Sequence, residues 1–532
     1  MSLLASLIRN AWARIARGES VDDSTPHVAE QQAAPDELGG LSNADALNAG
    51  LEKLRAGDCV GAEKYFGAVA RRSPDLAEAQ FYLGVSLLKQ GRYEAAIDSL
   101  VLAVHYRPEL AEARFQLGLA QFHLDQFDQA IASFRAVIEL QPDYADAHCN
   151  LGYVLYKHRE DLDAAEAHLR RALELDPGKL ETQTNLAMVL DHRGHTDAAL
   201  QMYDRILGST PDDHEVRLNR SLILLARGDY GHGWPEYEAR RSLQRHREFP
   251  FPEWDGTSLT DRVILVHAEQ GLGDEIMFAS CFGEVIARAR HCVIECHRKL
   301  EKIFQRSFPT AEVHGALQTD PERNWLDREP RIDCKVGMGS LPLHFRNSRA
   351  DFPPHSGYLR VDPEREEYWR DRLKALGTGS KIGVSWRGGT SKTRRNMRSI
   401  PLEQWLPLFT LPDTHFVSLQ YGNHEDEIES VRSASGVRIH QWPEALGDYD
   451  ETAALVSALD LIISVQTAVI HLGGALGRPV WVLVSSRPEW RYQEMGESLP
   501  WYPTVRLIRQ TTAGEWEPVI DEAKRRLQQW PS

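Results

Sequence analysis

The sequence predicts an α-solenoid of stacked helix pairs followed by an α/β region whose two parallel-sheet halves face a cleft. Three observations carry this. Residues 44 to about 240 repeat with a period of 34. From Arg262 onward, short apolar runs alternate with helical stretches, and Gly-rich or basic loops follow several of those runs. A period of helix pairs means a solenoid, and strand–helix alternation means a parallel sheet with ligands beyond its carboxyl ends. The 532 residues allow about two to four domains.

Composition narrows the function. A net charge of −16 argues against general nucleic-acid binding. The six cysteines (59, 149, 281, 292, 296, 334) are scattered through apolar segments, as thiols of a reduced, cytoplasmic protein are. Cys292, Cys296 and His297 lack the second ligand pair that a metal site needs. No apolar run reaches the ~18 residues of a membrane span. At the N-terminus, Leu3, Leu4, Leu7, Ile8, Trp12 and Ile15 share one helical face, with Arg9 interrupting any signal-like core. Residues 1–18 therefore read as an amphipathic docking helix, with peripheral membrane contact through 2–17 as the alternative. Residues 19–43 read as a flexible linker.

In the repeats, Pro74, Pro108, Pro142, Pro177 and Pro211 are spaced by 34, 34, 35 and 34. Gly50, Gly84, Gly118, Gly152 and Ala187 keep that step, as do Ala62, Ala96, Ala130, Ala165 and Ala199. Small residues mark close helix crossings and each proline ends a second helix. This register resembles the tetratricopeptide repeat (TPR), whose stacked pairs present a concave face to a peptide or protein. The one-residue excess is expected in the turn around Arg159–Asp161. Tyr82, Phe115, His148 and Tyr153 read mostly as inter-repeat packing. A sixth unit from Arg217 departs from the pattern at Trp234 and Tyr237 and reads as a cap against the next domain, so the array extends over 44–250. Phe249–Gly256 reads as an extended connector.

The two halves, at 258–360 and 381–532, are Rossmann-like. In the first, strand Val263–His267 runs into Gln270-Gly271-Leu272-Gly273 and a helix expected from Asp274. Two glycines permit a sharp turn and close ligand approach, and the helix N-terminus favours an anion. Strand His291–Cys296, helix Lys299–Arg306 and a segment Ile332–Leu341 follow. In the second, strand 381–386 leads into the basic loop RGGTSKTRRNMRS. Helix Leu402–Thr410 follows, with Ser399 as a possible cap. Next come strand 415–420, helices near Glu425–Ser433 and Glu451–Leu459, strand 461–465 and helix Thr467–Leu476. Strand 479–484 is expected to close the core, and a last helix, 515–529, to reach back toward the first half.

AEQGLGDEIMFA, MGSLPLHF, GVSWRGG, RSIPLEQW, FVSLQYG, the DETAALVSALDLIISV series with GALGRPVW, and PWYP with RLIRQ occur in order. Together they resemble the bacterial TPR–glycosyltransferase fusions, whose catalytic part is similar to the ADP-heptose glycosyltransferases of the GT-B fold. The architecture is also similar to that of the O-GlcNAc transferases. The resemblance implies transfer from a nucleotide sugar, without a required metal or other cofactor, by inversion, to a protein acceptor in the TPR groove such as flagellin or another surface protein.

It further implies site residues. Asp274 is the expected general base, with a helix N-cap as its plainer role, and Gly271 and Gly273 shape its turn. Arg398 is the expected phosphate ligand, joined by Ser385, Arg387 and Lys392, with Arg394 and Arg395 as looser candidates. Thr467 and His471 are expected at the donor. Gln466 stands where the family has aspartate, which implies altered donor choice, toward a sugar carrying its own carboxylate, or lost catalysis. Two alternatives remain: a TPR scaffold with a degenerate transferase region, and a lipopolysaccharide-type glycosyltransferase.

Overall fold

The computed structural model describes residues 40–243, 248–316, 325–326, 331–389 and 395–530. The readings of residues 1–18 and 19–39 lie outside the described residues. The chain divides into two compact units, 20–216 and 217–532.

The first unit is a run of paired helices: Asn43–Arg55 with Cys59–Arg72, Ala77–Lys89 with Tyr93–Tyr106, Ala111–His123 with Phe127–Leu140, Ala145–Val154 with Leu162–Leu175, and Leu180–His192 with Thr196–Ser209. The small residues act by sterics. A Cβ on Gly50, Gly84, Gly118 or Gly152 would lie 2.5–2.7 Å from Phe66, Leu100, Phe134 or Leu169 of the partner helix. The period thus pairs a missing side chain with a large one. Each proline directly follows the C-cap of a second helix, at Ser73, Arg107, Gln141, Asp176 and Thr210, where the helix has to stop.

A second periodic device is absent from the sequence reading. Gln80, Arg114, His148 and Gln183 each donate to the carbonyl of the proline six residues earlier, at 2.8–3.1 Å. His148 is therefore a turn lock. Tyr82 and Phe115 pack on Phe66 and Phe134, and Tyr153 on Phe122. The extra residue of the fourth unit is taken up inside its first helix rather than in the turn. Leu155–Arg159 forms a π-turn with Leu155 and Tyr156 buried, and Glu160 follows with φ 56°. One wide turn absorbs one residue without shifting the next helix.

In the second unit, helix Tyr230–Tyr237 follows helix His214–Ala226. Tyr237 is not the departure expected of it: Ser221 and Tyr237 stand 34 residues after Ala187 and Tyr203, keep the small and large repeat positions, and are both buried. The first sheet has the order β3-β2-β1-β4, all parallel, with β1 Val263–His267, β2 His291–His297, β3 Glu312–Ala316 and β4 Cys334–Gly337. The second comprises β5 Ser380–Ser385, β6 Thr414–Ser418, β7 Ile439–His440, β8 Leu461–Val465, β9 Val480–Val484, β10 Ser498–Leu499 and β11 Tyr502–Arg509. Its order is β10-β11-β9-β8-β5-β6-β7, parallel except for β10 against β11. β1, β8 and β9 are continuous apolar runs buried at every position, as strands covered on both faces require.

Several expectations are corrected. β9 is not the last strand, because β11 pairs beyond it with Val505 opposite Val480. The final helix, Glu517–Gln528, packs Val519, Ile520, Ala523 and Leu527 on the second sheet's core, not on the first half. Helix Pro363–Lys374, unassigned from sequence, is mostly charged and is anchored by buried Trp369 and Leu373. Ser399 caps nothing; its backbone bridges to Arg387, and Pro401 occupies the cap position without a side-chain bond. The connector is extended and pairs with β4, Trp254 N donating to Lys335 O at 2.7 Å.

Histidines give the solenoid a pH signature. His123 stacks on Tyr93 at 4.4 Å and His158 on Phe127 at 3.5 Å. Burial pushes both imidazoles down to about 4. The unfolded chain takes up those protons near pH 6.5, so the stability they contribute is intact above about 6.5 and lost as pH falls toward about 4. We expect denaturation midpoints to decline already between about pH 6.5 and 5, before carboxylates titrate. The pair His123→Phe and His158→Phe makes that limb shallower, and an unchanged slope contradicts the assignment.

Candidate active site

Strand order reverses between β1 and β4 in the first sheet and between β5 and β8 in the second. A crevice opens beyond the carboxyl ends at such a reversal, and ligands of open α/β sheets bind there. The four loops at these two points begin at Ala268, Met338, Trp386 and Gln466, and each lies in a motif singled out above.

The first reversal is filled by an ion pair. Arg240 donates to Glu269 Oε2 at 2.8 Å, to Ser340 Oγ at 2.7 Å and to Glu238 Oε1 at 2.6 Å. The Arg240 and Glu269 side chains are 1% and 2% exposed. Gly337 and Gly339 make room: a Cβ on either would lie 2.1 or 3.0 Å from the Glu269 carboxylate. Glu269 thereby joins the AEQGLGD and MGS motifs. Beside it, Gln270 Nε2 donates to Tyr237 Oη at 2.8 Å.

The turn then enters helix Leu272–Phe278, two residues earlier than expected, with Gly271 as N-cap and no side-chain cap bond. Asp274 sits in the first helical turn rather than at the cap, and its carboxylate points at the second half. Asp274 Oδ1 accepts from Arg491 Nε at 2.6 Å, Arg491 Nη1 donates to Glu489 Oε2 at 3.3 Å, and Arg398 Nη1 donates to Glu489 Oε1 at 2.6 Å. Four charges of alternating sign thus run in a line. Burial opposes the charge on Arg491, but Asp274 and Glu489 outweigh it and raise its pKa above the ordinary guanidinium value. Arg491 also lies over the Trp490 ring at 4.8 Å.

His471 lies on helix Ala468–Ala475 and is 5% exposed. Its Nδ1 is 3.1 Å from Tyr502 Oη. Burial first, and then Arg491, push its pKa down to about 3, so the ring is neutral at physiological pH. It packs against the Gly turn, where a Cβ on Gly273 would lie 3.0 Å from His471 Cδ2. His471 is thus a wedge between the halves beside Asp274.

The remaining predicted residues divide. Thr467 is the N-cap of the His471 helix, with Oγ1 3.0 Å from Ser464 Oγ. Gln466 is buried; its Oε1 accepts from Ser485 Oγ at 3.4 Å, while its Nε2 has no hydrogen-bond partner among the described residues. Gly388 threads between Gln466 and Arg398, where a Cβ would lie 2.6 and 2.9 Å from their carbonyl oxygens. Ser385 points inward, donating to Gln420 Oε1 at 3.2 Å. Arg387 turns away from Arg398 and pairs with Glu427 at 2.7 Å. Lys392 and Arg394 lie outside the described residues, as does the side chain of Arg395. Beyond β6, a pocket of about 210 Å³ is lined by Gln420, Tyr421, His424, Glu425 and Trp442 among others. Lys299 of the first half lies 5.2 Å from the Tyr421 ring.

Arg491, Glu489, Arg240 and Glu269 were missed from sequence. The first two sit in SRPEWRY, just past the end of β9. The rule that ligands gather beyond parallel strand ends, applied to β9 as it was to β5 and β8, would have marked them. Cys292 and Cys296 are buried on β2. Among the described residues no three His, Cys, Asp or Glu side chains gather as a metal-ligand set.

Two tetratricopeptide repeat family models match the chain, one at residues 47–109 and 115–179 and one at 158–220. The paired helices are therefore a TPR solenoid. Protein FlbA of Caulobacter vibrioides is 32% identical over 346 residues, covering 62% of this chain and 58% of FlbA. The match thus spans less than two thirds of that relative. Among solved structures, MamA is 26% identical, with 31% of this chain and 90% of that chain covered and a TM-score of 0.29. A thermophilic TPR protein of Thermus thermophilus is 24% identical, with 34% and 97% covered and a TM-score of 0.29. YrrB, described as a TPR protein with an unusual peptide-binding site, is 20% identical, with 33% and 89% covered and a TM-score of 0.30.

The two glycines of the turn separate packing from ligand access. A Cβ on Gly271 meets only Asp274 Oδ2, at 3.8 Å, and its φ is −83°. Gly271→Ala is expected to keep the folding free energy within about 0.5 kcal/mol. Gly273→Ala presses on the buried His471 and is expected to cost about 1–3 kcal/mol. Urea denaturation of both variants checks this, and equal stabilities contradict it.

Proposed function

We propose that the chain is a nucleotide-sugar-dependent glycosyltransferase of GT-B type that modifies a protein held by its TPR solenoid. The observation that carries this is the line Asp274–Arg491–Glu489–Arg398 at the carboxyl ends of two parallel sheets. It offers a carboxylate for the acceptor proton and two guanidinium groups for a leaving diphosphate. The N-terminus of helix Ala468–Ala475 adds unpaired backbone donors for the same anion. The Tyr421 and Trp442 pocket beyond β6 supplies flat aromatic faces suited to a nucleobase.

In this reading the ligand-free arginines are held by protein carboxylates. An incoming diphosphate offers them a better partner, and that exchange releases Asp274 to accept a proton from the acceptor hydroxyl. The acceptor oxygen attacks the anomeric carbon, the bond to the nucleotide breaks, and its electron pair leaves on the phosphate that Arg398 and Arg491 stabilise. His471, held neutral, orients by hydrogen bonding without adding charge.

A thermal-shift panel of UDP, GDP, ADP, CMP and dTDP tests the reading. One nucleotide is expected to raise the melting temperature of the wild type, and the shift is expected to vanish in Arg398→Ala. Asp274→Asn is expected to retain nucleotide binding and lose transfer by about 100-fold or more. No stabilisation by any of the five favours a second reading, a TPR scaffold with a non-catalytic α/β region, which the closed Asp274–Arg491 pair also suits.

Gln466 is the proposed determinant of the donor sugar. Its buried Nε2 lacks an acceptor, and a sugar carboxylate would supply one that an aspartate there would repel. Gln466→Asp is expected to shift preference from acidic toward neutral sugars on the same nucleotide, read by competition binding; an unchanged ranking sinks the idea.

A further inference from the structure

The helices that end the repeat pattern grip both loops from which the Asp274–Arg491 pair is made. On the first-half side, Arg240 fixes Glu269 at 2.8 Å, and Tyr237 accepts from Gln270 at 2.8 Å. Those two contacts hold the residues immediately before Gly271. On the second-half side, Glu494 N donates to Ala226 O at 2.8 Å, and Gln493 Nε2 donates to Tyr230 Oη at 2.6 Å. The Trp234 ring stands edge-on to Trp490 at 5.5 Å, and its Nε1 donates to Arg346 O at 2.8 Å. The contacts to Trp490, Gln493 and Glu494 flank Arg491 on both sides, while the Trp234 Nε1 bond to Arg346 anchors the same ring in the first half. Trp234, Tyr237 and Arg240 are each less than 5% exposed.

We propose that residues 226–240 are a built-in brace of the site, with Arg240 and Trp234 as its positioning residues; this rests on the transferase reading above. The brace sets the approach of Asp274 to Arg491 by holding the two loops from one continuous stretch: the end of helix His214–Ala226, helix Tyr230–Tyr237 and Arg240. A plain cap for the solenoid would need an apolar face, but not a buried arginine aimed at Glu269 or hydrogen bonds to the 490s loop. A positional error of about 1 Å between reacting groups costs about 100-fold in rate, so a brace of this kind acts on turnover rather than on donor affinity.

The test uses the full chain with Arg240→Lys, which keeps the charge but loses the planar fork, with Arg240→Met, and with Trp234→Phe, which keeps an aromatic ring but loses the Nε1 bond. Amide hydrogen exchange is expected to rise about tenfold in segments 268–275 and 489–496 in Arg240→Met and less in Arg240→Lys, with β5 and β8 unchanged. Transfer from the sugar derivative of whichever panel nucleotide stabilises the wild type is expected to fall about 10- to 100-fold in kcat with KM within about twofold. Exchange that rises uniformly across both sheets, or turnover equal to wild type, overturns the brace. If the wild type transfers from none of those sugars, the transferase reading fails on its own. The exchange arm still decides the brace: a change confined to the two loops supports it and a uniform change overturns it.

Discussion

The interaction on which the site depends is the pairing of Arg491 with Asp274 and Glu489. The Arg491 side chain is 16% exposed, and its two carboxylate partners offset the cost of desolvating the rest. The carboxylates come from opposite sheets' loops, so the pair also sets the distance between the two halves. Removing one partner of a buried pair typically costs about 3–5 kcal/mol. The halves are thus tied where chemistry would occur. A second tie, Arg306 bidentate to the buried Asp450 at 2.9 and 3.0 Å, joins them away from the site.

What was legible in the sequence follows from what is periodic. The 34-residue step records a steric match, a glycine opposite Phe66, Leu100, Phe134 or Leu169, and steric matches between neighbouring helices leave a regular trace. β1, β8 and β9 were legible because double-sided burial demands unbroken apolar runs. β3 and β11 were not: β3 carries His314 and Gly315, and β11 alternates apolar with Arg506 and Arg509. Helix Pro363–Lys374 hid because only two buried side chains anchor it and most of the rest is charged.

In the candidate site, the legible residues are those that follow strands or precede helices: Asp274, Gln466, Thr467 and Arg398 fall where the reversal of strand order places them. The illegible ones act through distant partners. Arg240 meets Glu269 and Ser340, 29 and 100 residues away in the chain, and Arg491 meets Asp274 across 217. No local spacing encodes such pairs. Ser385 and Arg387 belong to the same class of strand-end residues. They stand at a strand end, as a ligand contact should, but Gln420 and Glu427 on the neighbouring elements satisfy them. A strand-end position is necessary for this kind of site and insufficient for it.

His471 shows how burial decides the role of a side chain that sequence can only nominate. Were its pKa ordinary, it would carry partial charge near neutral pH and compete with Arg491 for Asp274. Burial beneath Gly273 and the positive charge of Arg491 both disfavour the imidazolium. The ring is left as a neutral hydrogen-bonding wedge, and Tyr502 fixes its orientation. The positive charge beside His471 is therefore concentrated on two guanidinium groups, Arg491 and Arg398. An anion entering this line does not add a charge to an empty cavity. In the proposed transferase reading it substitutes for a carboxylate as the partner of Arg398 or Arg491, and the new ion pair offsets the loss of the old one. On the same proposed reading, that substitution couples donor binding to release of the base, beside two loops contacted by Ala226, Tyr230, Tyr237 and Arg240.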